Sequence, residues 1–295
     1  MKRVPTAIAG LLLLTGVAAL ARPTQFQIEV AVDLVNINFS AMDRKGRMVP
    51  GLTVSDFTVE EDGRKQTITA FARERELPLT LALLIDVSPS VSPVFREEKR
   101  TAAEFFESVL GPRDLALVIA FDRWATLVQD FTEDLPSLTR AVQDLTLSRN
   151  GTSLFDAVYL AAEEKLAREA GRKAIVLISD GEDTTSTFDE GRALVAAHRS
   201  NAVIYSISNS GNSRTMRQLA EDTGGAFFRI RREGDFTTVF DQIALELRTQ
   251  YSIAYQSDNP RRDGKFRRIK VIPKDPNVRI QARRGYYAPA DAKSR

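Results

Sequence analysis

Along residues 25–39 apolar and polar positions alternate, with Phe26, Ile28, Val30 and Val32 on one parity and Val35, Ile37 and Phe39 on the other. A period of two is that of a half-buried strand, and the slip in phase at Asp33 and Leu34 predicts a bulge or a break between two strands. Turns follow at Asp43-Arg44-Lys45-Gly46 and Val49-Pro50-Gly51-Leu52. Residues 57–60 then run through Glu61-Asp62-Gly63-Arg64, a hairpin signal, into a strand over 67–71. The chain before residue 78 therefore reads as a small all-β unit.

At Leu79 the pattern changes. Residues 79–85 form a continuous apolar run, too short to span a membrane and of the kind buried on both faces of a parallel sheet. Ala102, Phe105, Phe106, Val109 and Leu110 at helical spacing predict a helix over 94–110, stopped by Gly111-Pro112. A strand over 115–121, an edge strand over 124–128 and a short helix over 135–145 follow. Leu154, Phe155, Val158, Ala162 and Leu166 mark one face of a longer helix closed by Gly171. A third buried strand spans 174–179. The remainder reads as helix 188–199, strand 203–207, helix 213–223, a short strand 226–230 and an amphipathic helix 235–248. This rhythm predicts an α/β fold with a doubly wound, mostly parallel, Rossmann-like sheet and right-handed crossovers.

After Thr249 the β pattern returns, with strands expected over 251–255, 266–272 and 278–282. Neither β segment is long enough to bury a good core alone. We expect residues 22–76 and 250–288 to pair into one small β-sandwich, with an α/β domain over 77–249 inserted between them; two separate flanking appendages are the alternative. Residues 1–21 read as a secretory signal, with Lys2 and Arg3, an apolar run over 7–20 and Ala19-Leu20-Ala21 as a cleavage site. That run is short for the roughly 20 residues a bilayer needs, so the expectation is cleavage near Ala21, release to the periplasm or outside, and no stable membrane span in the mature chain. An uncleaved anchor is the competing reading. Residues 289–295 form a tail.

Composition narrows the chemistry. At 43% hydrophobic and 27% charged the 295 residues describe a globular chain, and a net charge of +2 gives no general drive toward nucleic acid or anionic lipid. With no cysteine and one histidine, a metal site must be built from oxygen. Ligands of open α/β sheets gather beyond the carboxyl ends of the strands. Three oxygen-bearing loops fall there: Asp86-Val87-Ser88-Pro89-Ser90, Asn150-Gly151-Thr152-Ser153 and the loop that starts at Asp180. Two carboxylates with several hydroxyls suit magnesium or manganese, with calcium also possible. Singly, Ser90 and Thr152 are also good helix caps, and Asp180-Gly181 is an ordinary turn.

Other features point elsewhere. His198 lies near the apolar side of a predicted helix, which favours a structural role over a Ser-His-Asp triad. The basic run Arg261-Arg262, Lys265, Arg267-Arg268, Lys270 reads as solvated charge on an exposed or edge strand, not as a nucleic-acid patch. Asn38-Phe39-Ser40 and Asn150-Gly151-Thr152 match a glycosylation pattern, but a glycan beside Thr152 would obstruct the loop edge.

The series Asp86-x-Ser88-x-Ser90, Gly151-Thr152-Ser153-Leu154-Phe155-Asp156-Ala157 and Ile178-Ser179-Asp180-Gly181 resembles the von Willebrand factor A domain with its metal-ion-dependent adhesion site, over about residues 77–249. The flanks resemble a group of exported bacterial proteins related to that domain. The resemblance implies that Asp86, Ser88, Ser90, Thr152 and Asp180 are direct or water-mediated metal ligands, and all five are present. Asn150 departs from the pattern, which often has a second glycine there; asparagine tolerates left-handed backbone. The expectation is a non-enzymatic, exported module that grips an Asp or Glu carboxylate of a protein partner through a divalent ion. The alternatives are a metal-dependent phosphoester hydrolase using Asp86 and a structural subunit of an envelope assembly.

Overall fold

A computed structural model describes residues 34–73, 77–208, 214–232 and 234–290, all within one compact unit, Asp33–Arg295. The expected signal segment and the first half of the alternating stretch lie outside the described residues. Strand β1, Leu34–Met42, begins where the alternation changes phase, and Val35, Ile37, Phe39 and Ala41 are its buried apolar positions. Strands β2, Phe57–Glu61, and β3, Arg64–Gln66, form the expected hairpin around Asp62 and Gly63, both at positive φ, and β4, Ile68–Arg73, follows.

The α/β domain opens with β5, Leu79–Asp86, in which every residue is buried. Leu79, Leu81, Leu83 and Ile85 enter one apolar core and Ala82 and Leu84 the other, so a single strand feeds both faces of the sheet. Helix α1, Phe95–Val109, leads to β6, Leu115–Phe121, and the edge strand β7, Ala125–Thr132. Helix α2, Leu135–Gln143, precedes α3, Leu154–Tyr159. The helix expected as one piece up to Leu166 changes register after Tyr159, continuing as a π-helical turn over Leu160–Lys165 and a 3-10 turn over Leu166–Arg168. Strand β8, Arg172–Ile178, helix α4, Glu190–Ser200, and strand β9, Val203–Ser208, come next, then helix α5, Arg214–Thr223, strand β10, Phe227–Arg229, and helix α6, Asp235–Thr249. The six strands stand in the order β10-β9-β8-β5-β6-β7, parallel except for β7. Helices α1, α2 and α6 cover one face and α3, α4 and α5 the other. No helix among the described residues is long and apolar enough to cross a membrane.

Strands β11, Tyr251–Gln256, β12, Phe266–Pro273, β13, Arg279–Ala282, and β14, Gly285–Tyr287, complete the chain. They interleave with the first four in two sheets ordered β13-β1-β11-β4 and β14-β12-β2-β3, which share one core around Phe39, Val59, Tyr255 and Val271. The basic run departs from the expectation of an exposed or edge strand. Strand β12 is not an edge strand, since β14 and β2 flank it, and Arg267 falls on the inward parity with Ile269 and Val271. Its guanidinium is 3.3 Å from Glu61, which also accepts hydrogen bonds from Tyr255, Tyr286 and Ser257. Arg268 and Lys270, on the other parity, are exposed as expected.

One contact closes the α/β domain at its two ends and a second joins it to the β-sandwich. Arg172 donates from Nε to Leu77 O at 3.0 Å and from a terminal nitrogen to Leu247 O at 2.5 Å, tying the entry and exit of the domain together. Gly224 has φ +89°, and a Cβ there would lie 2.4 Å from Arg283 N, so a glycine is needed where α5 meets the turn between β13 and β14.

Candidate functional site

Strand order reverses at β5, whose parallel neighbours are β6 and β8, so the carboxyl ends of β5 and β8 border the switch point of the sheet. Asp86 is the last residue of β5 and has no exposed surface. One carboxylate oxygen accepts from Ser88 N at 2.8 Å, the local turn an aspartate makes with its own backbone two residues on. The other accepts from the Ser179 hydroxyl at 2.7 Å, directly after β8. Pro89 opens a 3-10 turn over Pro89–Val91, which places the Ser88 and Ser90 hydroxyls 2.9 Å apart. Ser88 is buried and Ser90 is exposed, so this pair reaches from the sheet edge to solvent.

Asp180 follows Ser179 and is 6% exposed. One of its oxygens accepts from Glu182 N at 2.9 Å, and Gly181, at φ +88°, turns the chain away. Burial pushes the Asp86 carboxyl above its usual range, hydrogen bonds from Ser88 and Ser179 pull it back, and the nearby negative charge of Asp180 adds to the push. Two buried carboxylates therefore repel each other across the end of the sheet.

Thr152 arrives from the far side. Its N–H donates to the Thr184 hydroxyl at 2.9 Å and its carbonyl accepts from Thr184 N and Thr185 N, pinning this loop to the one that leaves Asp180. Ser153 N donates to Asp122 O, while the Asp122 carboxylate accepts from Ser148 and Asn150, so the loop after β6 holds the other flank. The Thr152 side chain, 5% exposed, makes no hydrogen bond to Asp86, Ser88, Ser90 or Asp180. The helix-cap alternative does not hold. Val94 and Ser153, not Ser90 or Thr152, precede α1 and α3, and neither helix has a side-chain cap bond.

Sequence reasoning passed over the residues that fix this arrangement: Ser179, Thr184, Asp122 and Ser148. Ser179 was legible, lying at the end of a buried strand beside Asp180, where an apolar residue would have continued the pattern. Threonine and serine in the other loops carry no comparable signal. Glu98 of α1 is a further surprise: it is 1% exposed, one oxygen has no hydrogen-bond partner among the described residues, and burial, with the charge of Asp86, raises its carboxyl well above the usual range.

The donors present at this edge are hard oxygens, two carboxylates and three hydroxyls, which fit a small divalent cation. Among the described residues no group of three or more histidine, cysteine, aspartate or glutamate side chains could hold a metal. A hydroxyl-rich shell with two acidic groups is therefore the oxygen set this edge offers.

A model of the von Willebrand factor type A domain matches residues 80–242, more than half of the chain. No curated protein matches it. Among solved structures, the conserved hypothetical protein BatB from Bacteroides thetaiotaomicron is similar at 17% identity and TM-score 0.50, covering 57% of this chain and 98% of its own. A proximal thread matrix protein of the mussel byssus, solved with a zinc-occupied MIDAS motif, is similar at 16% identity and TM-score 0.50, covering 61% of this chain and 47% of its own. A second structure of that byssus protein reaches TM-score 0.52 at 14% identity and covers 73% of this chain and 50% of its own.

Proposed function

Because the chain belongs to the von Willebrand factor type A domain family, we propose that it is a divalent-metal-dependent protein-binding module whose ion, magnesium or manganese, engages an Asp or Glu carboxylate of a partner. The observation that carries this reading is the pair of buried, mutually repelling carboxylates, Asp86 and Asp180, beside the Ser88 and Ser90 hydroxyls. A cation there converts repulsion into attraction. Asp86, Ser88, Ser90, Thr152 and Asp180 would hold the ion directly or through water. With only two acidic ligands the ion keeps net positive charge, which is what an incoming carboxylate needs. The zinc-occupied motif of the mussel byssus protein supports this reading by analogy of fold.

Asp86 is suited to orienting, not to attack: it is fully buried and both oxygens already accept hydrogen bonds. That favours a grip over the phosphoester hydrolase alternative. The proposal also takes residues 1–21 as an export signal, 77–249 as the binding domain, and 22–76 with 250–288 as the sandwich that carries it.

Titration calorimetry with magnesium and manganese, on the purified chain and on Asp86→Ala and Asp180→Ala, tests the site. Binding that survives in both variants would sink it. Partner capture that depends on metal and is lost with chelator supports adhesion; a lower melting temperature with unchanged capture assigns the ion to fold stability; turnover of a generic phosphoester, lost in Asp86→Asn, assigns an enzyme.

A further inference from the structure

At the opposite end of the sheet, where β8 and β9 begin, the α/β domain faces the outer side of β1 and β11, and a cavity of about 370 Å3 lies between them. Asn36 and Asn38 line it because they fall on the parity opposite Val35, Ile37 and Phe39, and Ser252 is the cross-strand neighbour of Asn38. From the α/β side come Lys173, near the start of β8, and His198, near the end of α4; Arg283 enters from the turn between β13 and β14.

Lys173, His198 and Arg283 are 9%, 5% and 7% exposed. Lys173 Nζ makes no hydrogen bond or ion pair among the described residues. His198 Nδ1 and Arg283 Nε are buried without partners there. The rest of the Arg283 guanidinium is anchored, at 2.5 Å to Asn201 Oδ1 and 2.5 Å to Asn36 O, so its position is fixed while one donor stays idle. The carboxylate on the cavity wall, Glu169, stays beyond ion-pair distance of Lys173. Its charge favours the ammonium, yet burial still holds Lys173 below the ordinary lysine range. Burial likewise brings Arg283 down to about 10, and burial with the Arg283 charge brings His198 down to about 4. A buried guanidinium with an idle donor beside a partly desolvated ammonium is unfavourable unless an anion or ordered water completes them.

We propose that this cavity binds a small oxyanion, a carboxylate or a phosphate on a compact molecule, held by Lys173 and Arg283 with His198, Asn36, Asn38 and Ser252 completing its hydrogen bonds. The volume lies in the range of small-molecule sites. Because its donors come from both the α/β domain and the sandwich, the ligand bridges the joint between them. The proposal is independent of the metal edge.

The test uses the full chain in chelator, so that metal plays no part, with inorganic phosphate and succinate as probes against chloride at matched ionic strength. Thermal unfolding is expected to shift upward with the logarithm of the concentration of at least one probe. Lys173→Met should weaken that probe by about tenfold or more. The variant alone should melt at or above the wild-type temperature, because it loses an unpaired buried charge. A phosphate-only response assigns phosphate esters, and a succinate-only response assigns carboxylates. No shift beyond chloride with either probe, or an equal shift in Lys173→Met, would overturn the proposal and leave a water-filled cavity.

Discussion

Glu61 in the β-sandwich and Asp86 at the edge of the α/β sheet are both carboxylates with almost no exposure, 2% and 0%, and they are treated in opposite ways. Glu61 is surrounded by Arg267, Tyr255, Tyr286 and Ser257, a full set of donors that includes one opposing charge. Asp86 has two neutral donors and, instead of a cation, the like charge of Asp180. A buried ion with its complement in place tethers strands that are far apart in sequence. A buried ion that faces its own sign is incomplete, and its deficit states what would complete it.

The largest expected effect breaks the second half of this contrast. Asp86→Ala or Asp180→Ala should lower divalent-ion affinity by more than about 100-fold, beyond the range typical of outer-shell changes, while calorimetric melting of the metal-free chain stays level or rises. Next, Glu61→Gln or Arg267→Met should cost about 3–5 kcal/mol in urea unfolding, since either leaves a buried partner uncompensated. Replacing both by apolar residues should recover much of that loss.

His198 supplies a third case, a buried base beside a cation. Its folded pKa of about 4 lies below the reference value of 6.5, so the unfolded chain binds the proton more readily. The stability this group contributes is present above about pH 6.5 and is lost as pH falls toward 4, on the order of 3 kcal/mol in all. His198→Leu should flatten that limb of a pH series of unfolding curves.

Trp124 sharpens the reading of the metal edge as an interface. It is 64% exposed on the loop after β6, beside the residues that hold Ser148 and Ser153. Trp124→Ala should weaken metal-dependent partner capture by about tenfold with metal affinity unchanged, as expected of an aromatic anchor. Smallest is Glu98→Gln. Its folded pKa is raised, so its stabilisation is present below the unfolded value of 4.5 and disappears as pH rises through the folded one. The amide should change stability at neutral pH by less than about 1 kcal/mol and should remove the decline that sets in above pH 4.5.

Much of the α/β domain was legible because its strands are apolar runs and its helices keep one apolar face. Leu79 to Asp86, buried throughout, and the helix ending at Val109 stand within a residue or two of expectation. The π-helical turn after Tyr159 was not legible, since Leu160, Ala161 and Ala162 suit either register. Arg267 was misread because a run of positive charge drew attention from strand parity, which alone would have turned it inward. At the carboxyl edge of the sheet the five oxygen residues could be picked out one by one, but the clamps at Thr184, Asp122 and Ser148 depend on which loops meet, and that is a property of the folded chain.

Arg172, which binds Leu77 and Leu247 together, has a consequence for how the chain assembles. Strand β1 pairs with β11 more than two hundred residues later, Leu34 opposite Gln256, and closing so long a flexible loop costs on the order of 5 kcal/mol. Once the α/β domain has folded and its two ends are clipped, that loop is short, and the effective concentration of the outer strands for each other rises steeply. The α/β domain is thus a splint as well as the bearer of the oxygen-lined edge: once folded, it holds the two halves of the sandwich in position to meet.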